Sequence, residues 1–374
     1  MKILVLGAGN IGGKVVEDLV NSGVDEVIIA DIDVHKAEVI AEKYSGKGGI
    51  VKPRYIDVNN YDELVRLMDS VDVVANSVGP FKRFGPRILE AAIDANTDIV
   101  DICDDPEPTI EELNLHDKAR DMGITAVIGL GNNPGVGNLC AKYGAAKLDN
   151  VEEIKFIWVH PAFEDGGIAS TEHAIHVFSG NIITYKNGEW IEIQAGTEAE
   201  EVLFPSPIGR IKVVHTGHPE PITIPRYIKG VKNVSCKGSI YPQWAAEEFM
   251  KLLSYGFGSE EAIEIDGVSI EPRKFFVAFL RKFSKKMASY GGEVAKASRV
   301  IVKGGNTTLV YDRIGFEWNA SIPLSIGVQL LANKKIKVKG VYPPEGVIDP
   351  RTFFEGLKRR GLKIIEREII EQEI

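Results

Sequence analysis

The hydrophobic pattern opens on an unbroken apolar run, Ile3-Leu4-Val5-Leu6, which leads straight into Gly7-x-Gly9-x-x-Gly12. Apolar residues then return at helical spacing as Ile11, Val15, Val16, Leu19 and Val20. A short continuous run predicts a buried strand, and the spacing after it predicts an amphipathic helix packed on that strand. Strand and helix patterns go on alternating. A second strand falls at Val27-Ile28-Ile29-Ala30, a helix over 33–44, a strand within 50–58 and a helix over 62–70. Strands at 71–75 and 98–101 flank a helix over 86–95, and a helix over 111–122 precedes a sixth strand over 124–130. Such alternation predicts a doubly wound parallel sheet, which binds ligands beyond the carboxyl ends of its strands. The loops beginning at Ser77, Asp101 and Gly131 are therefore candidate binding loops.

Gly131-Asn132-Asn133-Pro134-Gly135 reads as a capped helix start, with the helix running to about residue 146. Its N-terminus is a second candidate anion site; an ordinary crossover helix fits the same residues equally well. From residue 151 strands predominate, at 153–159, 182–185, 190–194, 211–215, 234–236, 297–303 and 307–314, with Asn187-Gly188 as a hairpin turn. Helices are expected over 243–253 and 273–287, and a helix over 320–332 is expected to close this antiparallel region. A last helix is expected over 350–360. The fold expected is α/β: an N-terminal Rossmann domain over 1–133, to which about 340–374 returns, and an α+β substrate and dimerisation domain over 134–339.

Composition narrows the function classes. A chain of 374 residues exceeds one ordinary core, and 44% hydrophobic with 26% charged residues describes a globular protein. The net charge of −9 disfavours nucleic acid and anionic membranes as partners. Cys103, Cys140 and Cys236 are odd in number and lack metal-ligand spacing, as expected of thiols in a reducing cytoplasm. A leader peptide and a membrane-spanning run are not expected.

The opening glycines carry the first chemistry. Gly7 permits the tight turn, Gly9 lets a diphosphate approach the backbone, and Gly12 lets the helix close on the strand. The diphosphate would sit at the helix N-terminus, where Asn10 and Ile11 begin the first turn and the dipole favours negative charge. Asp31 ends the second strand 19 residues beyond Gly12, where a carboxylate holds the adenosine ribose and repels a 2′-phosphate. Ile32 follows it rather than Arg, which favours NAD, while Lys36 leaves NADP possible. Asp57 closes the third strand on the same edge. An S-adenosylmethionine fold is the rival reading, but it usually lacks the third glycine.

GAGNIGG (7–13), Asp31, VDVVANSVGPF (71–81), AAIDANTDIVDI (91–102), GLGNNPGVGN (129–138) and GVYPPEG (340–346) together resemble the saccharopine dehydrogenase (glutamate-forming) and lysine 6-dehydrogenase family. The resemblance covers roughly the first 145 residues and the last 35. It implies hydride transfer at a C–N bond of an amino-acid-type amine or imine, with NAD(P) as cofactor. It also implies that Ser77, Val78, Gly79 and Pro80 lie by the cofactor's ribose and nicotinamide, with Asp101 and Cys103 across the cleft. Asn133, Pro134 and Gly135 are candidate substrate contacts. The family's glycine-rich sheet motif is replaced by Trp158-Val159-His160-Pro161, which leaves the substrate open.

A proton shuttle is needed near the substrate nitrogen. His160, His173, His176, His215, His218 and Lys82 are candidates. His218-Pro219-Glu220-Pro221 stands out, because its prolines would hold His218 and Glu220 in an extended polar loop. Catalytic roles are thus expected of His218, Glu220, Lys82 and Asp101, with Lys82 and Arg83 available for a substrate carboxylate. His173 and His176 share a helix face without a third ligand, so no metal site is expected. Phe275, Phe276, Phe279, Leu280 and Phe283 form a stripe suited to core or to the interface of a homodimer. A nucleotide-sensing protein without turnover is the alternative reading.

Overall fold

The computed structural model describes residues 1–44, 50–162, 167–289, 294–315 and 317–372. The chain divides into two compact units. The first is Met1–Tyr143 with Trp318–Lys363, and the second is Gly144–Glu317 with Ile364–Ile374.

The first unit is built on a seven-stranded, wholly parallel sheet. Its spatial order is Gly340–Tyr342, Thr125–Val127, Asp98–Asp101, Val73–Asn76, Lys2–Leu6, Glu26–Asp31 and Ile50–Tyr55. Strand order therefore reverses beside Lys2–Leu6, which is where doubly wound sheets bind nucleotides. Ile3–Leu6 and Val73–Ala75 in the central strands are apolar and buried, as a sheet covered on both faces requires. Several elements start earlier or split where turn chemistry dictates. The helix expected over 86–95 begins at Phe81, directly after Pro80. The helix expected over 111–122 is two, Pro106–Asn114 and His116–Asp121.

Two segments depart from the domain division read in the sequence. The helix Ser321–Ala332, expected to close the second domain, belongs to the first unit. It is apolar nearly all round, and its Ser325 hydroxyl donates to buried Asp18 at 2.6 Å, which Arg360 Nε also approaches at 2.7 Å. The closing segment splits. Gly340–Tyr342 returns to the parallel sheet as expected, but Ile365–Ile370 pairs antiparallel with Thr307–Ile314 in the second unit.

The second unit carries a nine-stranded mixed sheet rather than the antiparallel one expected. Its central pair, Glu153–Pro161 and Asn233–Tyr241, runs parallel, while Ala297–Gly304, Thr307–Ile314 and Arg210–His215 add antiparallel neighbours. The hairpin at Asn187-Gly188 forms as predicted, both residues having positive φ (55° and 86°). The helix Gly167–Val177 and the strand Glu200–Leu203 carried too little periodic signal to be foreseen.

Arg299 and Asp312 face each other across adjacent strands of this sheet. Arg299 Nε and Nη2 donate to Asp312 at 2.6 and 2.9 Å, Arg367 Nη2 adds a third bond, and Asp312 is fully buried. Removing one member of a buried pair leaves the other uncompensated, at about 3–5 kcal/mol. Asp312→Ala is accordingly expected to lower the unfolding free energy by about that amount in a denaturant titration. A loss under about 1 kcal/mol would show that Arg299 reaches water in the variant.

Candidate active site

In the first unit the glycine turn has the geometry its spacing predicts. Gly7 sits at φ +95°, and its N–H donates to Ala30 O at 2.8 Å, tying the turn to the second strand. A Cβ on Gly12 would lie 1.8 Å from Gly7 O, so only glycine lets the helix Asn10–Asn21 approach the strand this closely. A Cβ on Gly9 would meet nothing within 4 Å, and Gly9 with Asn10 is exposed. The helix has no side-chain cap at Gly9, which leaves its first N–H groups and its dipole facing that open side. These residues fit a coenzyme diphosphate, with Ile11 half-buried in the first turn.

Asp31 is fixed beside the same turn. Its Oδ2 accepts from Ala8 N at 2.7 Å and its Oδ1 from Asp33 N at 2.8 Å, and each oxygen retains a lone pair for a ribose hydroxyl. Ile32 is 62% exposed beside it. Lys36 lies 3.5 Å from Asp33 in an exposed pair on the first turn of the next helix. Asp57 closes a local turn, accepting from both the backbone and side-chain nitrogens of Asn59.

The loop after Val73–Asn76 is more structural than expected. Ser77 Oγ donates to Leu6 O at 2.8 Å and would lie 2.9 Å from a Cβ on Gly7, so its hydroxyl is spent on holding the glycine turn. Val78 N donates to Asn76 Oδ1 at 3.0 Å, Val78, Gly79 and Pro80 are half-buried, and the Gly79–Pro80 bond is cis. Lys82 is exposed on the first turn of the following helix.

Asp101 and Cys103, expected to face a cleft, are instead buried inside the first unit. Asp101 Oδ1 accepts from Cys103 N at 2.9 Å and Gly129 N at 2.8 Å, so the carboxylate joins two loops. Burial pushes its pKa up to about 7 against the pull of those two donors, with the Asp104 charge raising it further. The Cys103 thiol is held well above its usual range by burial and by the nearby Glu112 and Asp101 charges, which leaves it unreactive. Glu112 lies in the same pocket, also fully buried, and nothing in the sequence singled it out. Because folded Asp101 binds its proton more tightly than the unfolded chain, this group's contribution to stability falls as pH rises from about 4 to about 7. Asp101→Asn keeps the acceptor oxygen and should flatten that part of the stability–pH curve. An unchanged slope in paired denaturation series over this window would contradict a raised Asp101.

The second candidate anion site does not form. Val136 N and Gly137 N, which open the helix Val136–Ala145, already donate to Gly131 O and Asn132 O at 3.0 Å. Gly135 N donates to Asn138 Oδ1 at 2.9 Å. A Cβ on Gly135, at φ +120°, would strike Gly131 O at 2.0 Å, so the loop folds back tightly on its own backbone there.

In the second unit the structure brings His218 and Glu220 together, but not in an extended loop. Pro219 caps a helix, Glu220–Tyr227, whose first turn contains Glu220 and Pro221, as proline's fixed φ favours. Glu220 is fully buried, and its Oε2 lies 3.3 Å from His218 Nδ1. The imidazole also meets the rings of His173 (5.4 Å) and Trp158 (5.7 Å), and Trp158 meets His160 (5.4 Å). Trp158 covers Gly238, where a Cβ would come within 2.3 Å of the indole. Cys236, unforeseen in the sequence, completes the group: His218, Glu220 and Cys236 each place one ligand-type atom within 4.8 Å of the others. His215 stands apart, its Nε2 3.2 Å from Glu198 Oε2, with burial and then Lys237 lowering its pKa. A cavity of about 330 Å³ lies in the same unit, lined by Phe178, Gly238, Ser239, Phe249 and Met250 among others. Phe178 stands edge-on to Trp158 at 5.4 Å, so cavity and histidine cluster share that wall.

Residues 3–127 match the family described as the saccharopine dehydrogenase NADP binding domain. The chain is 26% identical over 319 residues to a carboxynorspermidine synthase of Vibrio cholerae, covering 78% of this chain and 75% of the relative. It is 20% identical to a carboxyaminopropylagmatine dehydrogenase of Synechocystis sp., covering 96% of each. Among solved structures, the apo saccharopine dehydrogenase (L-Glu forming) of Saccharomyces cerevisiae matches with a TM-score of 0.69 at 15% identity, over 98% of this chain and 99% of that one. Sheet, glycine turn and acid define an NAD(P)-dependent oxidoreductase with a Rossmann coenzyme unit. Within that class, residues 3–127 match the saccharopine dehydrogenase NADP binding domain, and the whole chain shares the fold of the yeast enzyme.

Proposed function

We propose that the protein transfers hydride at the C–N bond of an amino-acid-type amine or imine, with His218 as the proton-transfer group at the substrate nitrogen. The observation that carries this reading is the buried His218–Glu220 pair: a carboxylate oxygen 3.3 Å from Nδ1 puts negative charge beside the imidazole and leaves Nε2 for the substrate. Bound NAD(P) supplies the hydride acceptor or donor. In the oxidative direction the C–H electron pair leaves as hydride, the N–H proton goes to His218, and the amine becomes an imine; reduction reverses each transfer. The apolar cavity beside Trp158 suits an aliphatic substrate chain. The names of the relatives make carboxylated secondary amines the first class to assay.

NAD is the proposed coenzyme, because the Asp31 carboxylate would lie against a 2′-phosphate. A coenzyme titration followed by an amine panel tests the whole reading. Turnover with any such amine supports it, and tight NADH binding without turnover on the full panel defeats it. Asp31→Ser should move the NAD-to-NADP affinity ratio toward NADP by about tenfold or more, ~1.4 kcal/mol. If the unaltered protein already prefers NADP, the ribose argument fails.

A homodimer in the cytoplasm completes the proposal. Phe275, Phe279 and Phe283 stack in a row, 52%, 48% and 41% exposed, whereas Phe276 is buried against Phe249 and Phe257. The three cysteines are free and buried, as in a reducing compartment. Among the described residues no helix is long and apolar enough to cross a membrane.

A further inference from the structure

We propose that His218, Glu220 and Cys236 form a zinc-type metal site in the second unit. Two segments contribute. His218 precedes the helix Glu220–Tyr227, Glu220 begins it, and Cys236 lies within the strand Asn233–Tyr241. All three side chains are more than nine-tenths buried, and one ligand-type atom from each lies within 4.8 Å of the other two. Zinc ligands at about 2.0–2.3 Å in tetrahedral array stand roughly 3.3–3.8 Å apart, so a small adjustment of side chains converts this spacing into coordination.

The polar inventory points the same way. Among the described residues, Glu220 Oε1, Glu220 Oε2 and His218 Nδ1 are buried without a well-formed hydrogen bond, the 3.3 Å approach between them being poorly aligned. A buried carboxylate left so is costly unless a cation or proton answers it. A thiolate and a carboxylate together balance a divalent charge, and the N, O, S donor set selects zinc or cobalt over magnesium or calcium. The sulfur also has a donor suited to a bound thiolate: Thr216 Oγ1 donates to Cys236 Sγ at 3.8 Å. Three protein ligands leave a fourth position open.

Coordination displaces the Cys236 thiol proton and any proton shared between Glu220 and His218; no electron is transferred. A cation there takes the groups that the proposed proton transfer uses, so metal occupancy and turnover exclude each other. The site itself rests on geometry and not on that reading of the reaction.

The test is titration of the chelator-treated, reduced full-length protein with Co²⁺. Saturation at one equivalent, with a thiolate-to-cobalt charge-transfer absorption that Cys236→Ser abolishes, is the expected result. Glu220→Gln keeps the thiol and should weaken Co²⁺ binding at least about tenfold. Absence of saturable binding, binding without thiolate absorption, or the same absorption in Cys236→Ser overturns the site. Should Cys236→Ser fail to fold, undiminished affinity in Glu220→Gln overturns it equally. Binding that leaves amine turnover intact would keep the metal site and remove the proton role of His218.

Discussion

Replacing His218 by Gln is expected to lower kcat on the best amine substrate by about 10²–10⁴-fold, the usual contribution of a positioned acid–base group. Gln occupies a similar volume between Trp158 and His173 but cannot exchange a proton near neutral pH. NADH affinity should not change, because the glycine turn and Asp31 belong to the other unit. Glu220 acts through His218 and is a positioning residue, so Glu220→Gln should lower kcat while leaving KM nearly unchanged. A kcat within about threefold of the unaltered enzyme for His218→Gln would sink the assignment, since general acid–base catalysis is worth at least tens-fold. A rise in KM alone would place His218 in binding instead.

Gly12→Ala should cost about 10–100-fold in coenzyme affinity and lower Tm together. The added methyl would stand 1.8 Å from Gly7 O, backbone against backbone, with Ser77 Oγ at 3.2 Å behind it. Neither neighbour is a flexible chain end, because Gly7 is tied to Ala30 O and Ser77 to Leu6 O. Relief requires the helix to move off the strand, and overpacking of this kind costs about 1–3 kcal/mol, or ~2–4 °C in Tm for each kcal/mol. The uncapped N–H groups then leave the place where a diphosphate can reach them. Gly9→Ala is the companion, since its Cβ would meet nothing of the protein within 4 Å. It should leave Tm unchanged and weaken NADH binding alone, as measured by fluorescence titration. Equal Tm values for the two variants would contradict the close approach at Gly12. Unaltered NADH binding in Gly9→Ala would mean the diphosphate lies elsewhere.

The sequence by itself determined the coenzyme half. The run 3–6, the glycines at 7, 9 and 12 and Asp31 all lie within residues 3–31 and act through local strand and helix periodicity and obligate turn conformations. Those determinants are written in residue type, so the strand, the turn and the acid all fall where their spacing puts them. The pairing of His218 with Glu220 was also legible, because two residues apart around a proline is a local relation, even though proline started a helix there rather than an extended loop.

Only the tertiary structure decided where long-range neighbours meet. Ser77, Asp101 and Cys103 lie in the loops the sequence marked, yet backbone groups at Leu6 and Gly129 took the polar atoms of Ser77 and Asp101. Cys236 reaches Glu220 because its strand pairs in parallel with Glu153–Pro161 and so lies beside Trp158, which no spacing announces. The helix Ser321–Ala332 and the strand Ile365–Ile370 joined units opposite to the ones expected of them. The reason is common to all of these. Ladder hydrogen bonds and packing partners are made by backbone and apolar surface that every strand and helix presents alike, so the choice among them is settled only when the whole chain has folded.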